Sequence, residues 1–60
     1  MANDFGTKLR EARLASGITV QNLAVAVGVN AVTVYRWEKG KSRPRGVYLP
    51  ALYREIKLKA

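Results

Sequence analysis

Five cations fall within ten residues of this 60-residue chain: Arg36, Lys39, Lys41, Arg43 and Arg45, opposed over that stretch only by Glu38. Guanidinium and ammonium groups gathered in this way bind polyanions, phosphates above all. The whole chain carries eleven Lys plus Arg against four Asp plus Glu, a formal charge of +7 with a pI near 10.4. A solvated surface run is the plainer reading of such a cluster. Its place at the end of a helical pattern, described below, favours phosphate binding.

Bond-making chemistry is disfavoured by inventory. With neither His nor Cys, there is no imidazole base, no thiolate, no usual zinc ligand and no disulfide. The acids Asp4, Glu11, Glu38 and Glu55 are scattered, with no paired-carboxylate or metal-ligand spacing. Glycines stand singly and form no phosphate-cradling loop. The chain therefore reads as a binding protein and not an enzyme, with no cofactor, metal or small-molecule ligand implied.

The element that must position the cations is VQNLAVAVGVNAVTVYRWEKG, residues 20–40. It reads as a helix-turn-helix whose second helix enters the DNA major groove. Ala24, four residues before Gly28, is small enough to let the second helix cross close by. Gly28 can take the positive φ that a tight inter-helix turn requires. Val34, six residues after it, faces back into the crevice. Leu23, Val27, Val29 and Trp37 add apolar cover on the same inner side. LAVAVGV and AVTVY are rich in β-branched residues and read alone could be strands; the spacing and the flanking caps argue for helix.

Around this core the caps predict four helices, at about residues 4–16, 20–27, 31–39 and 50–57, in a single domain over residues 1–60. Asp4, Thr19 and Asn30 are the expected N-caps. Gly17 and Gly40 are the expected stops, with Ile18 folding back behind Gly17. Phe5, Leu9, Ala12 and Ser16 would share one face of the first helix. Residues 41–46 read as a basic loop. Pro50 suits the first turn of the last helix, whose apolar stripe would be Leu49, Leu52, Tyr53 and Ile56. No apolar run approaches the ~20 residues of a membrane span, the N-terminus is unlike a signal peptide, and a cytoplasmic protein is expected.

With LREAR at residues 9–13 and WEKGKSRP at residues 37–44, the pattern resembles the phage Cro and lambda-repressor-like family, also called the XRE family, over roughly residues 5 to 53. That resemblance implies an all-α domain of four helices, or a five-helix domain truncated at Ala60, that binds double-stranded DNA. It implies that Ala31, Val32, Tyr35 and Arg36 reach the bases, with Thr33 beside them and closer to the backbone. Ala31 and Val32 could pack on thymine methyl groups, and Arg36 could read guanine or hold a phosphate; Val32 and Tyr35 could instead pack internally. Phosphates would be held by Gln21, Thr33, Lys41, Ser42, Arg43 and Arg45. Arg13 and Glu38 match a family ion pair that orients the third helix.

Three departures from the family stand out. Val20 occupies a position where many relatives carry a backbone-gripping Gln, which leaves that role to Gln21. Ala31 is apolar where the first base-reading residue is often polar. Val25 and Ala26 give the second helix more apolar surface than relatives have. With the usual fifth-helix dimer contact in doubt, Tyr48, Leu49, Leu52 and Tyr53 are candidates for a replacement interface or for core. The function expected is a Cro-type repressor that binds a pseudo-palindromic operator as a homodimer. The alternatives are an excisionase-like architectural protein and an antitoxin- or adaptor-type interaction module; a membrane-surface helix using Arg54, Lys57 and Lys59 is disfavoured.

Overall fold

A computed structural model describes residues 5–56. They form α1 (Phe5–Ala15), α2 (Val20–Val27), α3 (Ala31–Glu38), a 3-10 turn (Gly46–Tyr48) and α4 (Leu49–Glu55), with no strand among the described residues. Both β-branched stretches are helical, because packing on a common core outweighs their local preference. That core is Leu9, Val20, Leu23, Ala24, Val34, Trp37, Leu52 and Ile56, all buried.

The helix ends follow the chemistry of their caps. Thr19 accepts a hydrogen bond from the Asn22 N–H, and Asn30 accepts one from the Thr33 N–H. Gly28 closes α2 at φ 95°, a conformation that strains any residue with a Cβ. The N–H groups of Gly28 and Val29 both donate to Ala24 O, at 2.8 and 3.0 Å, so the carbonyl of the small residue at the crossing also anchors the turn. After α1, the Ile18 N–H reaches back to Arg13 O and the Gly17 N–H to Leu14 O; after α3, Lys41 reaches Arg36 O and Gly40 reaches Trp37 O. The two helices thus stop in the same way, each with a doubly bonded left-handed cap.

α3 lies at the centre, packed on both α1 and α2, while α4 covers α2 and the 3-10 turn. The Tyr48 ring closes over Trp37 with centroids 5.7 Å apart.

Several sequence expectations are corrected. Val20, weighed only as a departure from a DNA-gripping residue, is a core residue. Ser16 lies past the end of α1 and is exposed. Lys39 is the C-cap of α3 and not its last helical residue. α4 begins at Leu49 and ends at Glu55; Ile56 turns extended, at φ −134° and ψ 156°, and buries its side chain from there. Tyr53 does not join the apolar stripe but is exposed. The 3-10 turn was not anticipated at all. Asp4 and Lys57, expected at helix ends, lie outside the described residues.

Gly6 has a role that its place early in α1 concealed. It is buried, and a Cβ there would meet Trp37 O at 2.5 Å and Glu38 O at 2.7 Å. The backbone of α1 therefore lies directly against the last carbonyls of α3. Gly6→Ala gains about 1 kcal/mol of helix propensity but forces two backbone groups apart, at the upper end of the ~1–3 kcal/mol that overpacking costs. The thermal midpoint, followed by circular dichroism, should fall by roughly 8–16 °C. Gly46→Ala, where an added Cβ meets nothing within 4 Å, should leave it unchanged or slightly raised. A Gly6→Ala midpoint equal to that of the parent would show that the approach is not tight.

Candidate nucleic-acid interface

α3 is eight residues long and serves two faces. Val34 and Trp37 point into the core, whereas Val32, Tyr35 and Arg36 are exposed. At the helical repeat of 3.6 residues these three share the outward side, and Lys39, seven residues after Val32, extends it by another turn. Val32 is 57% exposed and Tyr35 44%, so neither packs internally. Ala31 is half-buried and rests against the core.

The chain leaves α3 under constraint. The N–H groups of Lys41 and Ser42 both reach Arg36 O, at 2.9 and 3.4 Å. This fixes the start of a loop in which Lys41, Ser42, Arg43 and Arg45 are all exposed. The Arg43 guanidinium sits over the Phe5 ring, 5.6 Å from its centroid. Stacking of this kind orients the group while leaving its N–H donors available. Gln21 is exposed in the first turn of α2, where the geometry of a helix start gives the leading N–H groups no intrahelical acceptor.

Thr33 stands differently from the sequence expectation. Its hydroxyl donates to Asn30 Oδ1 at 3.0 Å, while its own N–H donates to the same oxygen at 3.1 Å. A hydroxyl has one proton, so a Thr33 contact to phosphate would require that bond to break. Asn30, read only as a cap, thus also holds Thr33 in place. Sequence could supply the cap but not the rotor of the hydroxyl.

Arg13 and Glu38 meet. Arg13 Nε donates to Glu38 Oε2 at 2.6 Å and its Nη2 to Oε1 at 3.4 Å, while its Nη1 donates to Ile18 O at 3.0 Å. The side chains are 12% and 5% exposed. One guanidinium therefore ties α1, the turn after it and the end of α3. It also removes from the outward face the one acid within the basic run.

Among the described residues no group of His, Cys, Asp and Glu is placed to hold a metal ion, and no helix is long and apolar enough to cross a membrane. Against known proteins, a family model described as a helix-turn-helix domain matches residues 4–54. The chain is 40% identical over 52 residues to RghRB, an uncharacterized HTH-type transcriptional regulator of Bacillus subtilis; the match covers 87% of this chain and 35% of that protein. The chain thus spans about a third of the length of this relative. No solved structure matches significantly.

The geometry at Arg13 and Glu38 makes a stability prediction. Removing one member of a buried pair leaves the other uncompensated, at about 3–5 kcal/mol. Because Arg13 keeps some contact with water, Glu38→Ala should cost about 3 kcal/mol in urea unfolding. The double variant Arg13→Met/Glu38→Ala should be less destabilised than the sum of the two single variants. Additive losses would mean that the charges act independently.

Proposed function

The chain belongs to the helix-turn-helix domain family, and from that premise we propose that it binds double-stranded DNA and regulates transcription, with α3 seated in the major groove. The observation that carries this reading is the continuity of one surface. The outward stripe Val32, Tyr35, Arg36 and Lys39 runs without a break into the exposed cations of residues 41–45. An α-helix fits the major groove, and cations at its end and in the next loop meet the flanking phosphates. Arg36 and Tyr35 face the bases; Lys41, Ser42, Arg43 and Arg45 hold the backbone, with Gln21 gripping it on the other side. The similarity to a transcriptional regulator of Bacillus subtilis supports the same assignment.

The finer proposal is a Cro-type repressor acting in the cytoplasm as a homodimer on a pseudo-palindromic operator, with half-sites about one helical turn, ~34 Å, apart. Of the four residues offered for an interface between copies, Tyr48, Leu49 and Leu52 pack on the core, so Tyr53 alone stays exposed to serve it. The excisionase-like alternative needs a β-hairpin after α3, and residues 41–45 form none. An interaction module would use the apolar surface at Val25, Tyr48 and Tyr53, of which Val25 is 80% exposed and Tyr53 45%, whereas Tyr48 packs on the core.

Selection from a random duplex library should yield a palindrome with half-sites one turn apart. Neutralisation of about three to five phosphates per subunit by the cations of residues 36–45 should make log K fall with log salt at a slope of roughly −2.7 to −4.5 per subunit. Lys41→Ala should weaken binding to all sequences alike and reduce that slope by about 1. Recovery of no consensus, with weak salt-sensitive binding to every duplex, would refute the operator-binding account.

A further inference from the structure

The leading turn of α3 is unusual in what it can offer a base. Asn30 Oδ1 already accepts two hydrogen bonds, from the N–H and the hydroxyl of Thr33. Ala31 has no polar side-chain atom and rests half-buried on the core. The Thr33 hydroxyl commits its proton to Asn30 and can only accept. Among residues 31–33 the one exposed side chain is Val32, 57% exposed, while Asn30, exposed at the cap, keeps its amide N–H donors outside the helix. Tyr35 lies three residues on and Arg36 four, the spacings at which side chains adjoin on a helix surface. The outward face therefore joins the aliphatic Val32 to the Tyr35 ring, whose hydroxyl is polar, and is bordered by the Arg36 guanidinium.

A patch of that kind distinguishes bases by their methyl groups. In the major groove thymine presents a C5-methyl that cytosine lacks, and an aliphatic side chain packed on it gains apolar burial without any hydrogen bond. We propose that Val32 is the specificity-determining residue of the leading turn, that it reads the C5-methyl of a pyrimidine, and that hydrogen-bond reading in α3 falls to Arg36 and the Tyr35 hydroxyl. This rests on the placement of α3 in the major groove. Val32 and Arg36 are about 6 Å apart along the helix at 1.5 Å per residue, less than two base-pair steps of roughly 3.4 Å. The methyl-bearing pyrimidine and the guanine read by Arg36 thus belong within two base pairs of each other.

The test uses the selected duplex and replaces each thymine in turn by deoxyuridine, which removes only the methyl and leaves the pairing edges intact. One thymine per half-site, within two base pairs of a guanine, should weaken binding roughly three- to five-fold on this change. The same change should have no effect on Val32→Ala, a substitution at an exposed helical position that keeps the fold; unchanged circular dichroism checks this. Replacing that thymine by cytosine, with its partner changed to guanine, should weaken binding further, and 5-methylcytosine should restore part of the loss. If a site is bound specifically but no thymine responds, methyl reading falls while DNA binding stands. A response that persists undiminished in Val32→Ala also overturns it. If no duplex is bound specifically, the placement of α3 falls and the proposal falls with it.

Discussion

The orientation of α3 depends on a charge that cannot be left alone. Glu38 is nearly buried at the end of that helix, and its carboxylate is held by the fork of Arg13. The fork reaches it only because α1 runs backbone-to-backbone against the last turn of α3, an approach that Gly6 permits. A third donor of the same guanidinium holds Ile18 O, so the turn into α2 is set by the same group. At the other end of α3 the left-handed Gly28 and the small Ala24 fix the crossing with α2. Held at both ends, and wedged from behind by Val34 and Trp37, α3 has little freedom left to lose when it meets a partner.

The same ion pair shapes the field outside. In the sequence Glu38 interrupts the cations and dilutes them; in the fold it faces α1. Arg36, Lys39, Lys41, Arg43 and Arg45 are then a surface of one sign, the condition for attracting a phosphate backbone from a distance. A helix of eight residues is too short to persist alone, so it exists because its inner face is packed. Interface and core are two sides of one short element. For that reason substitutions at the α1 contact should disturb binding although they lie away from it.

Much of this was legible in the residues. The Ala24, Gly28 and Val34 spacing, the caps Thr19 and Asn30 and the glycine stops are local signals, and each sits where those signals place it. The features that are not legible there depend on a second element. Gly6 offered one clue, since glycine near the start of a helix costs propensity and asks for a packing reason, but which carbonyl it meets is decided by the path of α3. Val20 stands where many relatives carry a backbone-gripping Gln, and the turn before α2 rotates it into the core. Tyr53 fitted an i, i+3, i+4 stripe that ends when Ile56 leaves the helix. The Thr33 hydroxyl was available on paper and is used by Asn30 in the fold. Tertiary direction, not composition, separates the two groups.

The measurement that bears most directly on the central claim is a titration of the ¹⁵N-labelled protein with a selected duplex, followed by amide chemical-shift changes. The account predicts that the largest changes fall on residues 31–36, on residues 41–45 and on the first turn of α2, while Leu14 and Val25 stay near their free positions. Changes centred on Leu14 or Val25, with α3 unmoved, would contradict it and would assign the basic surface some other role.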